Sequence, residues 1–277
     1  MKGEYEMAGA NQWGNLEQLI DQAESGGGIV GISISASNGL SFGYNEQRMF
    51  KAASTVKIPI MIQIFRRIDR GELTLDQEYT VTSGVHTMGS GVLHEMHDGL
   101  VVTIQDLLYL MMSISDNTAT NILIDMAGMD DVNATMRELG MEKSTLGRKM
   151  QGKAASGKQS ENWAAPAEYA DLVQKLLAGE AASPESCEKM VAILEQQQNG
   201  RRIGRYIPEE GVRWGSKTGS ITGVTNDVGF VTSSAGTVVV SVYCEDLPDQ
   251  HVGEQLIGDV AREAVVIAGV AEPLRTS

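Results

Sequence analysis

Cysteine is scarce in this sequence, with two residues, Cys187 and Cys244, in a chain of 277. Neither stands at a metal-type spacing, and the four histidines set no ligand pattern beside them, so no metal is expected. Both sit in apolar-patterned stretches, SPESCEKMVAILEQ and TVVVSVYCE, and are expected as buried thiols; a disulfide between them stays open at this level. Positive charge is short as well: 22 Lys and Arg face 36 Asp and Glu, a formal net charge of −14. An acidic surface argues against nucleic acid and anionic membrane as partners. Long apolar runs are missing, since no segment reaches the ~18 uninterrupted apolar residues of a membrane span. The first residues, MKGEYEMAGANQWGN, lack the apolar core of a secretory leader. As written the chain is expected to stay in the cytoplasm, or to be periplasmic or secreted if a leader precedes it. Repeats and low-complexity tracts are absent too. What is present is ordinary globular composition, 42% hydrophobic and 21% charged, and length enough for one large domain or two interleaved lobes.

The pattern along the chain has three parts. A helix over about 13–25 places Leu16, Leu19, Ile20 and Ala23 on one stripe and stops at Gly26–Gly28. GIVGISISAS and LSFGYN then read as a strand hairpin around a Ser-Asn-Gly turn. The middle is helical: a segment from Ser54 toward Gly71, then TIQDLLYLMMSIS, NTATNILIDMAG and MDDVNATMRELG, with Gly128 and Gly140 as stops. A polar stretch over 143–165 without a clear period reads as a long surface loop, a kind that is often functional. Two further helices, PAEYADLVQKLLAG and SPESCEKMVAILEQQ, each open on a proline. After Gly200 come three strand-like runs, VRWGSKTGS, DVGFVTS and TVVVSVYCE, and a closing helix near 252–269. Strands at both ends with helices between predict one antiparallel α+β sheet built from both termini. The division is expected as 1–53 with 198–277 for the sheet lobe and 54–197 for an inserted helical lobe, with a cleft where they meet.

FKAASTVKIPIMIQIF raises a chemical question, because Ser54 and Lys57 sit three apart at the mouth of an apolar segment. On a helix such residues share a face, beside the free N–H groups and positive dipole end of the first turn. That suits a nucleophile whose attack creates an oxyanion. An isolated S-x-x-K is more often a serine cap and a solvated lysine, so the reading depends on partners. Two short motifs lie at element edges: Ser115-Asp116-Asn117 between two helices, and Lys217-Thr218-Gly219-Ser220 in a strand.

In the order S-x-x-K, S-D-N, K-T-G, the chain resembles the class A β-lactamases and related penicillin-binding serine hydrolases. The resemblance runs over about 13–269, through FKAASTVKIPIMI, LLYLMMSISDNTATNILID and WGSKTGSITGVTNDVGFV. It implies the β-lactamase/transpeptidase-like fold, an α/β lobe with an all-helical lobe. It also implies a small-molecule acyl substrate, no cofactor and a monomer. Ser54 would attack an amide or ester carbonyl, with Lys57 as its base, kept neutral by the neighbouring Lys217. Ser115 would pass a proton to the leaving nitrogen, and Asn117 would offer its amide to the acyl side chain. Lys217 and Thr218 would hold a substrate carboxylate. The N–H groups of Ser54 and Ser220 would hold the oxyanion. Arg205, counted back from K-T-G, is the candidate arginine for the carboxylate, since none follows Lys217 before Arg262.

The resemblance breaks at the loop LGRKMQGKAASGKQSENWAAP. Class A enzymes deacylate with a glutamate two residues after an arginine. Here Arg148 matches and the glutamate's position is Met150. Glu161 is the loop's acid, and Asn162 stands where the family has the partner of the arginine; a hydrogen bond from Arg148 to Asn162 is expected. Lys149, Lys153 and Lys158 read as a solvated face. Acylation of Ser54 is therefore expected, while hydrolysis of the acyl-enzyme lacks its usual base unless Glu161 swings in or Lys57 serves both steps. An esterase or D-alanyl peptidase, and a covalent β-lactam sensor without turnover, are the alternatives. Two features stand aside: Pro59 removes a backbone donor inside the nucleophile helix, and His94, Glu95 and His97 form a surface cluster near the cleft mouth, where Val92 or Leu93 would line the entrance.

Overall fold

The computed structural model describes residues 5–7, 12–151, 153, 155–156, 160–272 and 274. The expected elements are present at close to the expected bounds. β1 is Tyr5–Met7, α1 Gly14–Ser25, β2 Ile29–Ala36, β3 Ser41–Tyr44 and β4 Phe50–Lys51. A 3-10 turn, Ala53–Val56, leads into α2, Lys57–Asp69. β5 (Glu78–Thr80) pairs β6 (Val101–Thr103), and α3 (Ile104–Ser113), α4 (Asn117–Ala127) and α5 (Met129–Glu138) follow. β7 (Trp163–Ala164) precedes α6 (Pro166–Leu177) and α7 (Pro184–Leu194). The chain closes with β8 (Val212–Ile221), β9 (Val224–Ser233), β10 (Gly236–Glu245) and α8 (Gln250–Ile267).

The main sheet runs β1-β3-β2-β10-β9-β8, antiparallel throughout. Strands from both ends of the chain meet at its centre, where Val240 lies opposite Ile34. Period-2 patterning sorts the faces. Val238, Val240, Val242 and Cys244 of β10 pack against α1 and α8, while Val239 and Tyr243 join the larger core of the helices. β8 is left as an edge strand, and its neighbour in space is the turn that carries Ser54.

Local chemistry explains the helix bounds. Thr103 and Asp106 form a reciprocal capping box on α3, with Asp106 Oδ2 accepting from Thr103 N at 2.8 Å and Thr103 Oγ1 from Asp106 N at 3.1 Å. Pro166 and Pro184 occupy first helical positions, where a missing N–H is no loss. Pro59 has the same explanation: it is the third residue of α2, inside the first turn, and removes a donor that had no helical acceptor. α2 is apolar almost all round and buried from Lys57 to Phe65, so it runs through the helical core. Each of its fully buried isoleucines contributes about 1.5–3 kcal/mol. Both cysteines are free and buried. Among the described residues no helix is long and apolar enough to cross a membrane.

Candidate active site

The turn bearing Ser54 is fixed from three sides. β4 pairs β7, and Ala52 N donates to Asn162 O at 2.8 Å. From β9, the buried Asn226 donates through Nδ2 to Lys51 O at 2.9 Å and Ala52 O at 3.3 Å, and its Oδ1 accepts from Cys244 N. From β10, Tyr243 donates its hydroxyl to Thr55 Oγ1 at 3.0 Å, which itself donates to Ala52 O. The chain then passes through Ala53 at φ 47°, a strained conformation for a residue with a side chain. This leaves Ser54 half-buried and facing a cleft, while Thr55, Val56 and Lys57 are buried. β8 presses on the same turn. A Cβ at Gly219 would lie 2.9 Å from Ala52 O and 3.2 Å from Ser54 N, so only glycine lets the K-T-G strand approach the Ser54 amide.

Lys57, Ser115, Asn117 and Lys217 converge. Lys57 Nζ lies 2.7 Å from Ser115 O, 3.0 Å from Ser115 Oγ and 3.1 Å from Asn117 Oδ1. Lys217 Nζ approaches the same Ser115 hydroxyl from the sheet at 3.2 Å and donates to Thr218 O at 2.9 Å. Ser115 holds a left-handed backbone, φ 62°, and Asp116 stabilises it. The Asp116 carboxylate is fully buried and accepts from Ala119 N, Val92 N and Leu93 N at 2.7–2.9 Å. It caps α4 and ties down the 91–93 loop. Gly91, φ 106°, passes so close that a Cβ there would meet the carboxylate. The middle residue of S-D-N is therefore architectural. Asn117 is also committed: its Nδ2 donates to Met88 O at 3.1 Å and its carbonyl faces Lys57.

Two buried lysines about a single hydroxyl oppose each other's charge. Burial pushes Lys57 well below the ordinary lysine value, Lys217 lowers it further, and Asp116 opposes both. Lys217 is pushed down to about 7, chiefly by burial; Asp227 opposes the fall and Arg202 adds to it. The three contacts of Lys57 match the donors of an ammonium, whereas its burial favours the amine. A neutral amine reconciles them: two N–H donors meet Ser115 O and Asn117 Oδ1, and one lone pair is left to take a proton.

Ser54, Ser115, Thr218 and Ser220 line one depression of about 300 Å³. Arg205, the arginine expected there, lies elsewhere. Its Nε donates to Tyr206 Oη at 3.1 Å, its guanidinium stacks on that ring, and its stem packs on Gly258 of α8. The arginine behind β8 is Arg202, fully buried, donating to Gly219 O at 3.0 Å, Asn226 O at 2.6 Å and Ser220 Oγ at 2.5 Å, with Glu254 Oε1 at 3.4 Å. Counting back from K-T-G missed it because the 3-10 turn Ile203–Tyr206 directs residue 205 toward α8 and leaves residue 202 beneath the strand. Asn226 lies just before the expected strand run DVGFVTS, in a polar Thr-Asn-Asp stretch that β9 takes in.

In the loop over 143–165, Met150 is held as firmly as the turn that carries Ser54. Asn121 accepts from Met150 N at 2.8 Å and donates to Met150 O at 3.1 Å, a two-point clamp one turn along α4 from Asn117. Met150 is 7% exposed and packs with the helical core. The expected bond from the Arg148 side chain to Asn162 is not formed. Asn162 Oδ1 accepts instead from the backbone N–H groups of Gly147 and Arg148, at 2.8 and 2.9 Å. The Arg148 guanidinium pairs with Glu161, 2.9 Å away, and both side chains are largely covered. Glu161 also accepts from Asn162 N and Ala155 N, each at 2.8 Å, so its carboxylate closes the loop and faces away from general-base duty. Lys149 pairs with Asp125, and Lys158 lies outside the described residues. At the cleft mouth Ser90 lines the depression; Leu93 is buried in the core and Val92 is exposed.

The architecture, an antiparallel sheet flanked by helices with a helical segment between its strands, is the β-lactamase/transpeptidase-like α+β fold. The family model described as "Beta-lactamase enzyme family" matches residues 14–267, and the chain belongs to that family. It is similar to a beta-lactamase from Sphaerobacter thermophilus DSM 20745 of known crystal structure, 55% identical, with a TM-score of 0.91 over 93% of this chain and 98% of that one. A beta-lactamase of Rhodobacter capsulatus is 27% identical over 87% of this chain and 84% of its own length. A mutant of PBP-A, solved as its acyl-enzyme complex with penicillin-G, is 26% identical with a TM-score of 0.81, over 91% of this chain and 94% of that one.

Proposed function

We propose that the protein is a serine hydrolase that opens β-lactams by acylation of Ser54 and releases the product slowly. The observation that carries this reading is the convergence of Lys57 and Lys217 on the Ser115 hydroxyl, at 3.0 and 3.2 Å, in the cleft that Ser54 lines. Ser54 Oγ attacks the lactam carbonyl as its proton passes to Lys57 Nζ, and a C–O bond forms. The oxyanion rests between the N–H groups of Ser54 and Ser220, a donor pair whose members are each worth about 3 kcal/mol. The C–N bond then breaks. The nitrogen takes the Ser115 proton, and Lys57 returns its proton to Ser115. Lys217 and Thr218 receive the substrate carboxylate. Arg202 supports them from beneath β8 through Ser220, and Arg205, expected to reach the carboxylate itself, takes no part. We take the cleft as the junction of two lobes, 1–53 with 198–277 and 54–197: Lys217 and Ser220 come from the first, Ser54 and Ser115 from the second.

The second half of the cycle needs a base for water. Met150 has none, and Glu161 is held by Arg148. Lys57, neutral again after the first half, is the remaining group, and one base serving both steps makes turnover slow. The same residues favour a second reading, a covalent β-lactam receptor without turnover. Nitrocefin and a fluorescent penicillin, followed by absorbance and intact mass, separate these. A burst of one equivalent, a slow steady state and a transient adduct on Ser54 support the hydrolase; a lasting adduct supports the receptor. No adduct, with cleavage of p-nitrophenyl acetate or a D-alanyl peptide, supports an esterase or peptidase. Ser54→Ala is expected to lose at least about 10⁴-fold in rate, as removal of a nucleophile does; an adduct surviving that change refutes the assignment.

A further inference from the structure

Because Ser115 protonates the departing nitrogen in the reading above, whatever is bonded to that nitrogen lies on the Ser115 side of Ser54. There the structure has room. The depression of about 300 Å³ runs from Ser54 past Ser115 to the turn after α7, Gln198 to Arg201. Among the described residues, none of 148–162 borders it, and no Asp or Glu lines it although the chain carries a net charge of −14. Arg201 stands at its far end. Arg202 is buried and its two terminal nitrogens are engaged beneath β8, but the Arg201 side chain is 73% exposed. The carboxylate it faces, Glu254, lies 3.9 Å away and already accepts from Arg202 and Gln250 through its other oxygen. An ion pair so long and so exposed holds the guanidinium weakly.

We infer that Arg201 is a specificity residue that reads a second anionic group on the leaving side of the acyl donor, beyond the carboxylate received by Lys217 and Thr218. The preferred substrates are acyl donors whose amine portion carries two acids. The inference rests on Ser54 acylation and goes beyond it. Two cephalosporins with one shared acyl side chain test it, the C3 substituent ending in a carboxylate in one and in a pyridinium in the other. The second-order acylation rate is read by stopped flow, with intact mass to verify the adduct. The unmodified protein is expected to favour the anionic compound. Arg201→Ala should cut that preference about three- to fivefold, the scale of one exposed charge pair. Arg201→Glu should reverse it, and Arg201→Lys should keep it. The preference should also shrink as salt is raised to about 0.5 M. An identical ratio in the unmodified protein and Arg201→Glu overturns the inference while leaving Ser54 acylation standing. If neither compound leaves an adduct on Ser54, the acylation reading fails and this one with it.

Discussion

The Ser54 wall of the cleft and the 148–162 loop are built with equal care and end in opposite chemistry. On the Ser54 wall, Asp116, Asn226 and the Tyr243–Thr55 pair fix the backbone so that Lys57, Ser115 and Lys217 meet. In the loop, Asn121, Asn162 and the Arg148–Glu161 pair fix the chain just as tightly, and what they hold at position 150 is a thioether packed into the core. Under the proposed mechanism, the groups for acylation and those for water activation are carried by separable scaffolds. One can stay complete while the other is emptied of acid-base function.

That comparison can be broken most forcefully at residue 150. Met150→Glu puts a carboxyl on the Asn121 clamp, and deacylation should accelerate by about 10²–10⁴-fold, the range of a positioned general base. Acylation should change little. Unchanged release of a penicilloyl adduct, followed by mass, would show that the clamp does not aim residue 150 at the ester. Gly219→Ala attacks the Ser54 wall. The added methyl group presses Ser54 N and Ala52 O, and acylation is expected to fall about 10²-fold or more, as when an oxyanion donor is lost, with the release rate of any adduct formed much less affected. Arg148→Ala leaves the largely covered Glu161 carboxylate without its cation and should lower unfolding stability in urea by about 3 kcal/mol; Glu161→Gln, which keeps the shape, should cost less.

The smallest effect sharpens the electrostatic side of the contrast. Unfolded Lys217 keeps its proton to near 10.5, whereas the folded residue gives it up near 7. Between those values the unfolded chain binds more protons, so stability rises with pH. Above the ordinary thiol value of 9.0 the buried Cys244, held up to about 12, keeps its proton in the folded chain and offsets the rise. A gain of about 1–2 kcal/mol between roughly pH 7 and 8.5 is expected from Lys217. Lys217→Met should flatten that part of the urea-midpoint profile.

Much of this was legible in the sequence, for reasons that differ by element. The three long strands after Gly200 and the helices around S-D-N announce themselves by period and by Gly and Pro punctuation. Pairs such as β4 with β7, two residues each, have no length over which a period can show. Ser54, Lys57, Ser115 and Lys217 could be grouped because motif order survives folding, and the structure brings them together. Arg202 and the Arg148–Glu161 pair were missed because each depends on where a turn directs a side chain, and neighbours one or three positions apart compete for that place. Asn121 was within reach: it lies one helical turn beyond Asn117 on the same face.

The sheet order has a consequence for how the molecule is made. Val240 pairs with Ile34 across about two hundred residues of intervening chain, and β8, the strand pressed against the serine's amide, is followed by two more strands and a helix. Pairings between such distant segments form late and slowly. A ribosome therefore delivers Ser54 long before the strand that presses on its amide, and the cleft is completed as the final act of assembly.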